Sequence, residues 1–148
     1  MKIETTILKN LLQNEDYARK VLPFLNDEYF TENSDKIIYN QINNFILKYN
    51  SLPNKEALNI ELSEAKITEE DFKESVNLIN EIGKDDQEFS DLSWLLDTTE
   101  KFCQDKAIYN AVVESISILD NPKSTTDKGA IPDILSDALS VSFDPHVG

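Results

Sequence analysis

Few residues of this sequence could carry covalent chemistry. His146 is the only histidine and Cys103 the only cysteine among the 148 residues. A serine or cysteine nucleophile normally needs a histidine base, and His146 lies in the last three residues of the sequence, where a flexible tail is expected. We therefore expect no nucleophilic catalysis, and we expect Cys103 to be a small buried packing residue.

Phosphate and metal sites also lack their usual motifs. The three glycines are Gly83, Gly129 and Gly148, and none lies in the G-x-x-x-x-G-K-[ST] pattern of a phosphate-binding loop. The acidic stretch KDDQEFSD at residues 84–91 could in principle gather a cation, but it lacks the Asp, Asn and Gly spacing of a calcium loop. A solvated linker explains it more simply. The sequence thus predicts no catalytic residue, no cofactor and no metal ligand in this chain.

Charge and composition limit the partners of the protein. Its net charge is −14, from 28 acidic and 14 basic residues, so its surface would repel a phosphate backbone and little direct nucleic-acid binding is expected. No apolar run approaches the roughly 20 residues of a membrane span, and the N-terminus lacks the pattern of a secretory signal. We therefore expect a cytoplasmic protein without membrane contact.

The N-terminal part predicts a compact helical head at residues 1–83. Apolar residues recur there at helical spacing, with Asn14 and Thr68 placed to cap helices and Gly83 placed to end one. Five helices are expected. The apolar positions that define them include Ile7, Leu8, Leu11, Tyr17, Val21, Ile38, Ile42, Leu58, Leu62, Val76, Ile79 and Ile82.

Residues 92–148 predict a helical hairpin, separated from the head by the acidic linker at residues 84–91. About thirty residues without proline or glycine follow the linker, enough for a helix of on the order of 45 Å, which exceeds what the head can cover. A polar loop at residues 121–128 then precedes a shorter returning helix that begins at Pro132. The fold class is therefore all-α. Trp94 is expected to pack in the core, although an anchor between chains is the alternative.

A seam of apolar residues along the long helix predicts a contact with another helix, because a helix that extends beyond its head exposes apolar surface unless something covers it. The partner helix is either the returning arm of the same hairpin or a second copy of the chain. The predicted interface residues are Leu95, Phe102, Tyr109, Val113, Ile116, Ile134, Leu135 and Leu139.

Four segments, taken in order, resemble the N-terminal domain of the replicative DNA helicases of T-even-type bacteriophages, which are DnaB-like hexameric helicases. The resemblance covers nearly the whole chain. The segments are YARKVLPFLNDEYF (17–30), LPNKEALNIEL (52–62), DLSWLLDTTEKF (91–102) and, most closely, GAIPDILSDALSVSFD (129–144).

The resemblance implies a noncatalytic collar domain that supports hexamer assembly and docks the primase during DNA replication, with a helicase loader as a further candidate partner. In that family an ATPase domain follows the collar, so ATP and Mg²⁺ are expected only for that motor, and residue 148 is expected to mark the boundary to it. The expected location is the cytoplasm of the infected bacterial host.

Two other classes of function remain open from the residues alone. An acidic protein without an active site could mimic DNA and occupy a host protein, but such a decoy needs its carboxylates along one face. A small helical enzyme would need a catalytic constellation that the sequence does not display, and a stoichiometric metal content would reopen that possibility.

Overall fold

The protein is built from helices, as seen in a computed structural model that describes residues 2–84, 91–121, 123 and 125–143. No strand occurs within these ranges, and none of the helices in them is both long and apolar enough to cross a membrane. The predicted all-α class is therefore confirmed. The helices are α1 (Ile3–Gln13), α2 (Glu15–Val21), α3 (Asn33–Tyr49), α4 (Lys55–Ser63), α5 (Glu69–Ile82), α6 (Leu92–Asp120) and α7 (Ile131–Leu139).

Local capping explains where several helices begin and end. In four of them a side-chain oxygen accepts the backbone N–H of the third residue along, which satisfies a donor that the helix itself leaves unpaired. The capping residues are Asn14 for α2, Asn54 for α4, Thr68 for α5 and Asp91 for α6. Helix α5 ends at Gly83, as predicted, and α3 ends at Asn50 in the left-handed conformation, which asparagine tolerates.

Helices α1 to α5 and the first half of α6 enclose one apolar core. Leu95 and Cys103 on α6 are buried in the same cluster as residues from all five preceding helices. The predicted boundaries at residues 83 and 92 stay a prediction, since most of the proposed linker, residues 85–90, lies outside the described residues. The fully buried large side chains of this core include Tyr17, Phe30, Ile7, Leu8, Leu11, Ile38, Ile42, Leu58, Leu62, Ile79, Ile82 and Leu95.

A buried hydrogen bond joins the head to α6. The hydroxyls of Tyr17 on α2 and Thr99 on α6 lie 2.6 Å apart, and burial raises the pKa of Tyr17 well above its usual value, so this phenol stays protonated. Aromatic rings extend the same junction: the Phe30 ring lies 5.4 Å from that of Tyr39 and 5.8 Å from that of Phe102. These contacts fix the direction in which α6 leaves the head.

The second half of α6 packs against α7 to form the predicted hairpin. Ala111, Ser115 and Ile118 on α6 are buried there, as is Ala138 on α7. Alanine and serine at this contact leave room for a close approach of the two helices. The returning helix is shorter than the predicted span of about residues 132–142, because α7 already ends at Leu139.

Residues 141–143 continue past α7 and return to the first half of α6. The Gln104 amide donates to the carbonyl oxygen of Val141 over 3.0 Å, and the backbone N–H of Phe143 donates to Glu100 Oε2 over 2.6 Å. The Phe143 ring stacks on Phe24 at 4.8 Å between ring centres. The end of the hairpin is therefore attached to the head.

We expect the Tyr17→Phe substitution to lower the free energy of unfolding by about 1 to 2 kcal/mol, because it leaves the buried Thr99 hydroxyl without its partner. Urea denaturation monitored by circular dichroism measures the change. Tyr49→Phe is the matched control, since it removes a phenol that is half exposed, and it should change stability by less than about 0.5 kcal/mol. Equal effects of the two substitutions would contradict a stabilising junction.

Candidate assembly and docking surfaces

The five predicted interface residues on α6 divide into two groups. Leu95 and Phe102 are buried in the core of the head, whereas Tyr109, Val113 and Ile116 are exposed, Tyr109 to 65%. The first two therefore contact residues of their own chain, and the other three are available to a partner. Their role in assembly stays a prediction.

The three predicted residues on α7 also differ in exposure. Ile134 and Leu135 are partly buried, and Leu139 is 72% exposed. Ala138 is the buried residue of this helix. The apolar face of α7 is thus only partly covered within the chain.

Helix α6 is covered on opposite sides along its length. At 100° per residue, Thr99 in the first half and Ser115 in the second half point about 160° apart around the helix. Both are buried, Thr99 against the head and Ser115 near α7. The head therefore covers one side of the first half, and α7 covers nearly the opposite side of the second half.

Beyond the head, the side of α6 that the head covers in the first half of the helix is exposed to solvent. Tyr109, Val113 and Ile116 lie within about 40° of Phe102 around the helix axis, so they extend the same face. We call the exposed apolar residues between positions 109 and 119 the α6 strip. It consists of Tyr109, Val112, Val113, Ile116 and Leu119. The strip runs over about 15 Å of helix, and contiguous exposed apolar surface of this kind marks interaction sites.

Two of the grooves on the head have contrasting chemistry. An apolar groove of about 470 Å³ is lined by Leu22, Pro23, Ile46 and Leu47, with Arg19 and Asn43 at its polar side. The second groove is acidic, has a volume of about 320 Å³, and lies where the starts of α1 and α3 meet α5.

Where their positions are described, the residues considered above for chemistry have structural roles. Cys103 is fully buried, and desolvation, with a smaller contribution from Glu100, raises the pKa of its thiol to about 12, so its predicted packing role is confirmed. Among the residues with described positions, no three His, Cys, Asp or Glu side chains are placed to hold a metal ion. Asp91 caps α6, while His146 lies outside the described residues.

Two features of α6 were not predicted from the sequence: the exposure of Trp94 and the residues that contact α7. Trp94 is 51% exposed, so the expectation that it packs in the core was wrong. The contact with α7 uses Ala111, Ser115 and Ile118, which were not predicted. These residues are spaced four and three apart and therefore form a second seam on the helix. Because two of them are small, this seam gives a weaker apolar signal in the sequence than the larger residues of the α6 strip.

Comparison with known proteins identifies a relative. The chain is 35% identical, over 150 aligned residues, to a protein described as a DnaB-like replicative helicase of Enterobacteria phage T4. The aligned region covers 96% of this chain and 31% of the helicase. No protein-family model matches the sequence. The predicted resemblance is therefore confirmed: the chain is related, over about a third of the helicase's length, to a DnaB-like replicative DNA helicase of a T-even-type bacteriophage.

Proposed function

We propose that the chain is the noncatalytic N-terminal collar domain of a phage replicative DNA helicase, where it supports hexamer assembly and docks the primase. The relationship to the phage T4 helicase supports a role in DNA replication. The observation that carries the assembly part is the α6 strip, which continues a buried face of its helix but has no cover within the described part of the chain.

Burial of the strip between copies would supply the driving force for assembly. Removing apolar surface from water contributes about 25 cal/mol per Å². Valine, isoleucine and leucine at helical spacing present a continuous surface that another helix can pack against. The exposed Leu139 at the end of α7 extends the apolar surface available to a second copy.

Charge supports the docking part of the proposal. With a net charge of −14 the collar would attract a basic protein partner and gain little from contact with a phosphate backbone. We infer that this partner is the phage primase, with a helicase loader as a further candidate. The site of action would be the cytoplasm of the infected bacterium.

ATP and Mg²⁺ belong, in this proposal, to another part of a longer protein. The alignment leaves about two thirds of the phage T4 helicase without a counterpart in this chain. We infer that the motor lies there.

The distribution of acidic residues favours this proposal over a DNA-mimicking decoy. Carboxylates occupy the first turns of α1, α2, α3, α4, α5 and α7, where the helix dipole stabilises negative charge. A decoy needs its charges in register along one face. Here nine carboxylates lie in the first turns of six different helices, where a structural role accounts for them without a DNA-binding partner.

We expect Val113→Asp to weaken hexamer formation by about tenfold or more in the full-length helicase, because assembly would bury an unpaired carboxylate in the α6 strip. Sedimentation with bound nucleotide measures the assembly. Val113 is half exposed, so the variant should keep the helical circular dichroism of the parent.

Ile60→Asp is the matched control for this experiment. It places the same charge at an exposed aliphatic position of α4, in the head and away from the α6 strip. It should leave the hexamers intact. Unchanged hexamers in the folded Val113→Asp variant would remove the strip from the interface.

We expect the chain to form a complex with the primase of the same phage, and we expect the affinity to fall as salt rises from about 50 to 500 mM, since screening weakens attraction between opposite charges. Isothermal titration with purified proteins measures both. Absence of a complex at low salt would refute docking by this chain.

The encoding DNA tests the relationship to a motor directly. If the chain is a collar, the same reading frame should encode a G-x-x-x-x-G-K-[ST] motif within roughly a hundred residues after residue 148. Sequencing that region decides the point. A stop codon without such a motif in the frame would contradict the helicase proposal.

A further inference from the structure

The acidic groove of the head combines several carboxylates with one buried carboxyl group. Glu32 precedes α3, and Glu74 and Glu81 lie on α5. Asp35, in the first turn of α3, also lines the groove but is only 3% exposed. Lys2 lies at the rim. The groove is thus negative at its opening and contains a carboxyl group at its inner wall.

One carboxylate oxygen of Asp35 has no hydrogen-bond partner. Its Oδ2 is buried and accepts no hydrogen bond, and the only other described side chain with a buried, unpartnered polar atom is Ser75 on α5. Leaving a buried acceptor unpaired is costly, and more so when it is charged. Burial, as the main cause, raises the pKa of Asp35; Lys2 opposes the shift, while Glu4, Glu32 and Glu81 add to it. The groove would therefore gain from a cationic ligand.

The arrangement of the acceptors selects among cations. No three of the described acidic side chains are close enough together to hold a metal ion. The groove instead spreads its acceptors, adding the neutral oxygens of Thr5, Ser34 and Asn77 to the carboxylates. A planar guanidinium with five N–H donors matches spread acceptors better than a point charge does. Leu78 offers an apolar surface for the methylene stem of an arginine.

We propose that this groove binds an arginine side chain from a basic segment of a partner protein, and that Asp35 accepts hydrogen bonds from the guanidinium N–H groups. The inference rests on the proposed docking function and assigns it a site. At about 320 Å³ the groove has room for a guanidinium and its stem. A paired guanidinium would satisfy the buried carboxyl group, and charge-assisted hydrogen bonds of this kind are among the strongest available to proteins.

The test is a titration of the 148-residue chain with an acetylated and amidated Gly-Gly-Arg-Gly-Gly peptide, followed by nuclear magnetic resonance. We expect shifts centred on the amides of residues 34–36 and 74–81. The peptide with lysine should bind more weakly, and the peptide with citrulline, which is neutral, should not bind. Shifts spread evenly over other acidic surfaces would overturn the assignment.

Asp35→Asn should weaken binding of the arginine peptide by about tenfold. Asp133→Asn is the matched control, because Asp133 occupies the same first-turn position of α7 and is exposed, so it removes the same charge outside the groove. The control should bind as the parent does. Equal affinities of the parent and the folded Asp35→Asn variant would refute the site.

Although Asp35→Asn should weaken peptide binding, we expect it to increase the stability of the folded chain at pH 7. Because the pKa of Asp35 is raised on folding, the folded chain holds this proton more tightly, and stability falls as pH rises from 3.8, its usual value, through the folded pKa. Asp35→Asn removes that loss, so its Tm should exceed that of the parent at pH 7, with the gap closing towards pH 4. A lower Tm at pH 7 would show that the carboxylate is already paired.

Failure of this site and failure of the proposed docking have different signatures. If the primase binds the parent and the Asp35→Asn variant equally well, docking stands and the arginine site is wrong. If the arginine peptide binds in the groove but the primase does not bind the chain, the site stands as a cation site and the docking proposal fails.

Discussion

Helix α6 is longer than the body that supports it, and this mismatch organises the molecule. Its 29 residues span about 43 Å, while the head encloses only the first half. The apolar residues in the remaining turns of α6 lie outside the head, and α7 buries them on one side of the helix only. The buried Tyr17–Thr99 hydrogen bond and the ring cluster around Phe30 hold the helix at its root. The α6 strip is the part of the helix that neither the head nor α7 covers.

The two kinds of surface obey different physics. The α6 strip is apolar, so the association proposed for it would be driven by dehydration and would respond weakly to salt. The binding proposed for the acidic groove would act through charge at short range and would be screened as ionic strength rises. A single small domain can therefore offer one surface for stable association and another for a partner that arrives and leaves, with each responding to separate changes in conditions.

Much of the fold could be predicted from the sequence because local signals agreed with one another. Asn14, Thr68 and Gly83 lie at helix ends in the structure, and the long uninterrupted pattern became α6. Burial along α6 was harder to predict, because periodicity shows that a face is apolar without showing what covers it. Leu95 and Tyr109 belong to one seam, yet the first is buried by the head and the second is exposed. The burial expected for Trp94 was wrong for the same reason, since its apolar neighbours in the sequence do not show whether the head covers it.

The attachment of residues 141–143 has a mechanical consequence. Because Phe143 stacks on Phe24 and its N–H binds Glu100, the polypeptide leaves the described structure beside the root of α6 and away from the tip of the hairpin. Tension applied to the chain beyond Phe143 would reach the head through this short path. These contacts would therefore have to break before tension on Phe143 could pull α7 away from α6.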